Sequence, residues 1–118
     1  MKIAYIAHPI GGDVQGNLKK IDAIVRHINL TEPDVVPFVP YYSDCAGAMD
    51  DSNPIERKRG FENNYQFFKR KSFDVLRLYG DRISTGMINE IQWAAKYGIT
   101  IVPMTSETTD AYYAQPTM

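Results

Sequence analysis

Seven consecutive residues, Ser84-Thr85-Gly86-Met87-Ile88-Asn89-Glu90, carry the strongest chemical signal in the chain. The apolar run Phe73 to Tyr79 precedes them and reads as a buried strand, and Gly86 to Tyr97 reads as a helix. A glycine at a strand-to-helix turn lets the backbone approach a ligand closely. A helix start presents free N–H groups and positive potential. Glu90 lies about one turn inside that helix, and helical side chains lean toward the N-terminus. Its carboxylate is therefore expected to point at whatever sits in the turn. An acid so placed can act as a nucleophile or steady an oxocarbenium-like sugar. The positive helix end predicts that this acid is ionised. The same position also suits a glutamate that only stabilises the helix dipole, by at most about 1 kcal/mol.

Other residues can join it. Tyr5 lies on an apolar stretch, Lys2 to Ala7, and its hydroxyl can orient a carboxylate or simply satisfy itself in the core. His8 follows at the mouth of that stretch, where an imidazole can contact a phosphate or donate a proton. Gly11, Gly12, Ser84 and Gly86 offer exposed backbone N–H groups and a small hydroxyl, suited to a phosphate or a sugar. Asp44 sits in a long loop, Pro40 to Ser52, with Tyr41 and Tyr42 nearby, and can line a base pocket. Pro9 and Met87 flank these groups and complete the expected binding surface. No HExxH, CxxC or aspartate-rich calcium loop is present, so neither a protein-built metal site nor a cofactor is expected. The glycine loops match neither GxGxxG nor GxxxxGK[ST].

The elements that position these residues alternate. Lys2 to Ala7 is a short β-rich run ended by His8-Pro9. Pro9 to Gly16 is a glycine-rich loop. Asn17 to Leu30 has a helical period, with Leu18, Ile21, Val25 and Ile28 on one stripe. Asn17 can cap this helix, or Asp13 can start it a turn earlier. Val35 to Val39 reads as a strand, and Pro37 within it argues for a sheet edge. Asn53-Pro54-Ile55-Glu56 is a strong helix start for a segment reaching about Lys71. Ile99 to Pro103 is the last strand, and Thr105 to Met118 is polar with no periodic element.

This alternation predicts one α/β domain over residues 1–118, with a core at 1–103 and a polar tail at 104–118. It implies a three-layer, flavodoxin-like, doubly wound parallel sheet of order 2-1-3-4, with room for a short fifth strand. Such sheets bind ligands beyond the carboxyl ends of the strands where the winding reverses. Here that point lies between the first and third strands, where His8 to Gly16 meets Gly80 to Gly86.

A net charge of −1 excludes an electrostatic footprint for a nucleic-acid polymer. The basic stretch of residues 54–71 reads as a solvated face. Cys45 is the single cysteine, which fits a reducing, cytoplasmic setting. The opening residues form a strand pattern rather than a leader, and no span is apolar enough for a membrane.

Ile3-Ala4-Tyr5-Ile6-Ala7-His8-Pro9, the Gly86-to-Glu90 spacing, and Ile91 to Val102 with Ala94, Ala95 and Gly98 together resemble the nucleoside 2-deoxyribosyltransferase-like superfamily. That group contains nucleoside deoxyribosyltransferases, 5′-nucleotide N-glycosidases and many small phage and bacterial domains. The resemblance covers most of residues 1–103. It implies that Glu90 is the nucleophile attacking the anomeric carbon, that Tyr5 positions it, and that Ser84 and Gly86 hold the 5′ end. His8 stands where that family usually has glycine, and Ser84 where deoxyribosyltransferases usually carry aspartate. Serine tolerates a 5′-phosphate that aspartate would repel, so a nucleotide is favoured over a free nucleoside. Members often complete the site from a neighbouring subunit, so a homo-oligomer is expected, with Tyr112 and Tyr113 available for that role.

The expected function is thus an N-glycosidase or N-deoxyribosyltransferase acting on a small-molecule nucleotide or nucleoside. The alternative is a non-catalytic nucleotide-binding module using the same crevice. A third reading is a partner-binding protein with Phe61, Tyr65, Phe67 and Phe68 at an interface, although core packing suits most of them better.

Overall fold

The computed structural model describes residues 1–115. The order of elements is β1 (Lys2–Ala7), α1 (Val14–Thr31), β2 (Val35–Phe38), α2 (Pro54–Lys69), β3 (Val75–Leu78), α3 (Thr85–Lys96), β4 (Thr100–Pro103) and α4 (Ser106–Tyr113). The four strands form one parallel sheet in the order β2-β1-β3-β4. This is the expected doubly wound, flavodoxin-like arrangement. Pro37 pairs with Ala4 on β2, which is an edge strand, where a missing N–H costs least.

The two-residue period of β1 divides the core. Tyr5 and Ala7 face one side with Leu76, Leu78, Phe68, Met87 and Ile91. Ala4 and Ile6 face the other, with Ile24 and Ile28 of α1. Helices α2 and α3 therefore share one face of the sheet, and α1 covers the other. Because β1 is central, Tyr5 pairs with Phe38 on one side and Leu76 on the other, and it is wholly buried.

Local chemistry sets the helix starts. Asn53 accepts from Ile55 N–H at 2.9 Å and Glu56 N–H at 3.4 Å, with Pro54 in the first position. Asp13 caps α1, accepting from Gly16 N–H at 3.0 Å, so the helix begins a turn before Asn17. Asn17 is instead buried, and its amide donates to Ile10 O at 2.9 Å and Gly11 O at 3.4 Å.

Three expectations are corrected. Residues 106–113 are helical: Thr105 and Thr108 form a reciprocal capping box, and Thr108 Oγ1 also donates to Leu78 O at 3.1 Å. The segment after β4 is thus committed to a helix, and the described residues hold no fifth strand. The last three residues of the expected polar tail lie outside the described residues. Finally, β2, β3 and β4 are shorter than their apolar runs. Phe73 is in the core yet precedes the paired part of β3. Among the described residues no helix is long and apolar enough to cross a membrane.

The carboxyl ends of β1 and β3 are locked together. Tyr79 N–H donates to Ala7 O at 2.9 Å, and Arg82 Nη2 donates to Gly11 O at 3.2 Å. Gly80 has φ +95°, and a Cβ there would stand 2.7 Å from Pro9 Cδ. Gly80→Ala is therefore expected to cost about 2 kcal/mol or more in urea unfolding, from left-handed strain plus the clash. Gly12 has φ +93° but nothing within 4 Å, so Gly12→Ala should cost about 1 kcal/mol from backbone conformation alone. Equal losses at the two positions would show that the Pro9 contact is unimportant.

Candidate active site

Helix α3 is capped by Ser84, whose hydroxyl accepts from Met87 N–H at 3.3 Å. One stripe of α3 faces inward: Met87, Glu90, Ile91 and Ala94. Glu90 thus occupies a position where the helical period calls for an apolar side chain. It is only 8% exposed. Its Oε2 accepts a hydrogen bond from the Tyr5 hydroxyl, and Asn64 Nδ2 lies 3.5 Å from the same oxygen. Asn64 Nδ2 also donates to the Tyr5 oxygen at 2.8 Å. One phenolic hydroxyl thus donates to Glu90 and accepts from Asn64.

The Tyr5 ring cannot swing away. It packs against Phe73 and Phe68 with ring centroids at 5.0 and 5.1 Å, and against Tyr41 and Phe38 at 5.8 and 6.0 Å. Each such aromatic pair adds about 0.5–1.5 kcal/mol beyond the area it buries. Tyr41 is held in turn by donating to Ile6 O at 2.5 Å.

Burial drives the electrostatics. Desolvation pushes the Glu90 carboxyl up to about 7, against the opposing hydrogen bonds from Tyr5 and Asn64. This corrects the expectation of a fully ionised acid. The helix end contributes only a partial charge, and loss of water outweighs it. Burial likewise raises the Tyr5 hydroxyl well above the ordinary tyrosine range, with the Glu90 charge adding to the effect.

Above this cluster lies a cleft of about 540 Å³ at the carboxyl ends of β1 and β3. That volume suits a small-molecule ligand. Of the residues expected at the site, His8, Gly11, Asp44, Ser84, Gly86, Met87 and Glu90 line the cleft, with Tyr5 directly beneath Glu90. Pro9 and Gly12 do not. Pro9 is buried beside Gly80, and Gly12 is exposed with nothing near its Cβ position. Gly86 sits in the first turn of α3 rather than in the turn before it, and its missing side chain leaves the helix start open. Ser84 faces the cleft with its hydroxyl already engaged in capping.

His8 lines the cleft with one ring nitrogen engaged by its own loop. Its Nδ1 is 2.7 Å from Pro9 O, and a carbonyl only accepts, so Nδ1 carries the proton. Burial lowers its pKa below the usual range. A neutral imidazole of this tautomer offers Nε2 to the cleft as an acceptor. Cys45 also lines the cleft, and burial pushes its thiol up to about 11.

Sequence reasoning overlooked several residues. Asn64 stands out only as a polar residue on the inward side of α2, one turn from Gly60 and one from Phe68. Arg82 and Asn17 tie down the Gly11 loop, and Phe61 and Trp93 form an aromatic wall of the cleft. Among the described residues, no three His, Cys, Asp or Glu side chains gather as metal ligands.

Fold and site define an α/β domain with a parallel 2-1-3-4 sheet and a buried, hydrogen-bonded carboxyl under a cleft at its switch point. Residues 2–104 match a family described as a domain of unknown function, DUF7768, and the chain belongs to that family. No curated protein matches the chain.

Proposed function

We propose that this cleft breaks the N-glycosidic bond of a nucleotide or nucleoside, passing the sugar to water or to another base. The observation that carries this reading is the Glu90 carboxyl, fixed by Tyr5 and Asn64 beneath the cleft. A Glu90 oxygen attacks C1′ of the sugar. The C1′–N bond breaks, its electron pair leaves with the base, and the base takes a proton from solvent. Water or a second base then attacks C1′ and releases the Glu90 carboxylate, with the displaced proton returning to solvent. Tyr5 is a positioning residue, and no cofactor is required. The resemblance of the β1 and α3 segments to the deoxyribosyltransferase-like superfamily supports the same assignment. Gly11 of the loop after β1, and Ser84 and Gly86 at the start of α3, with Arg82 between them, suit the 5′ phosphate of a nucleotide.

The test is base release, by liquid chromatography, from a panel of deoxynucleotides and deoxynucleosides, with Glu90→Ala as control. Free base should appear with the wild type alone. Turnover untouched by the substitution overturns the mechanism.

One observation favours a second reading. A carboxyl near 7 is about half protonated at neutral pH, which suits a hydrogen-bonding ligand group as well as a nucleophile. A non-catalytic nucleotide-binding module would release no base, yet a ligand at 100 times its Kd would stabilise it by about 2.7 kcal/mol in a thermal shift. In either case a homo-oligomer is expected. Ile55 (81% exposed) and Phe61 (48% exposed) leave apolar surface on α2 at and beside the cleft. Sedimentation at monomer mass would refute it.

A further inference from the structure

The cleft is lined by more acids than the reaction needs. Besides Glu90 they are Asp44, Asp51 and Glu56. Two already meet a neighbour, Asp51 through an exposed ion pair and Glu56 through one oxygen. Arg57 Nε and Nη2 donate to the Asp51 carbonyl at 3.0 and 2.8 Å, and Nε lies 3.6 Å from Asp51 Oδ1. Glu56 Oε1 accepts from Asp50 N–H at 3.2 Å. Both acids therefore hold the turn of residues 50–52 to the start of α2. Asp44 is different: among the described residues its carboxylate makes no hydrogen bond and no ion pair, although it faces the cleft.

Asp44 opens an irregular helical turn, Asp44–Ala48, broken at Gly47 with φ +134°. That turn lays the carboxylate against α2, where Asp44 Oδ2 is 3.7 Å from the point a Gly60 Cβ would occupy. Gly60 costs about 1 kcal/mol relative to alanine in a helix interior. A Cβ there would be in ordinary van der Waals contact with Asp44 and with Met49, whose Sδ is 3.6 Å from the same point. One residue further, Phe61 packs edge-to-face on Trp93 of α3, with ring centroids 4.8 Å apart. Both rings line the cleft, and Phe61 remains half exposed. A planar ring stacking on such a wall recovers apolar and quadrupolar contact.

This side of the cleft thus offers an aromatic wall and a carboxylate with spare acceptor capacity. An ionised carboxylate accepts and never donates. It favours a base edge carrying N–H donors and repels one carrying carbonyls. Two adjacent donors satisfy both oxygens at once, and bidentate, charge-assisted pairs are the strong ones. Guanine, through N1–H and its 2-amino group, is the DNA base with such an edge. Adenine and cytosine offer an amino group beside an acceptor. Thymine offers one N–H between two carbonyls.

We propose that Asp44 sets the base specificity of the cleft by accepting hydrogen bonds from the donor edge of a base stacked beside Phe61 and Trp93, with guanine the best fit. The inference rests on the nucleotide reading above and adds to it the part of the ligand that is recognised.

The experiment is calorimetric titration of the four 2′-deoxynucleoside 5′-monophosphates into Glu90→Gln protein, chosen so that base release does not consume the ligand. The titration is repeated with Asp44→Asn added. Asparagine keeps the shape, and circular dichroism checks the fold. The guanine nucleotide should bind at least about tenfold more tightly than the thymine nucleotide. Asp44→Asn should reduce that preference by about tenfold, chiefly by weakening the guanine nucleotide. Equal affinities, a different base on top, or a guanine preference that survives Asp44→Asn would each overturn the role of Asp44 and leave the nucleotide reading standing. Failure of all four, and of the four free 2′-deoxynucleosides, to bind would overturn both.

Discussion

Glu90→Ala is expected to slow base release by at least about 10³-fold, because removing a covalent nucleophile leaves only binding and solvent attack. The pH profile gives the same residue a second signature. A nucleophile must be ionised, and burial holds Glu90 at about 7. Below that pH, kcat/KM should fall tenfold per unit, and above it the rate should level off. A rate that instead falls above about 7 would reassign Glu90 as a proton donor, since the protonated acid would then be the active form. Tyr5→Phe separates positioning from chemistry. The Tyr5 hydroxyl donates to the carboxylate and so favours its charged form. Without it the limb should move to higher pH and the rate at neutral pH should drop, while the rate well above the limb recovers in part. A purely structural role for Tyr5 would lower the rate at every pH alike and leave the limb in place.

The parts of this site that were legible in the sequence are those set by local rules. Alternating apolar runs and helical stripes imposed the parallel order, Pro37 marked the edge, and Asn53-Pro54 marked a helix start. The strand-to-helix turn before Glu90 followed from the same periodicity. What was illegible depends on through-space contact. Asn64 meets Tyr5 across 59 positions of sequence and Glu90 across 26. In isolation a polar residue on α2 reads as solvent-facing. Helix α4 was hidden because its capping box uses Thr108 rather than Glu or Gln, and Thr108 is its only buried residue. The state of Glu90 was misjudged for a related reason. The helix-end potential can be read from spacing, whereas the aromatic residues that exclude water come from β1, β2, α2 and the segment before β3.

That same exclusion of water has a cost in stability, and it fixes the second prediction. In the unfolded chain Glu90 titrates near 4.5, and in the folded protein near 7. Below about 4.5 both states hold the proton and the residue contributes nothing to the pH dependence. Between about 4.5 and 7 the unfolded chain has released its proton while the folded protein still binds it. Fewer protons on the unfolded side mean that stability falls as pH rises through this window. Above about 7 both are ionised and the loss is complete. A shift of that size corresponds to about 3 kcal/mol, a large fraction of the stability of a small domain. Glu90→Gln keeps an acceptor for the Tyr5 hydroxyl and imitates the protonated acid at every pH. The variant should therefore match the wild type near pH 4 and exceed it by about 3 kcal/mol at pH 8. In thermal melts that is a gain on the order of 10 °C. Taking the difference between the two proteins cancels the surface carboxylates and the buried His8, which both carry. Urea unfolding from pH 4 to 8 measures the difference directly. A difference that does not change with pH would mean that Glu90 titrates normally and that the folded protein does not bury it. A gain confined to the window and plateau shows a carboxyl kept at a thermodynamic disadvantage, as perturbed groups at functional sites commonly are.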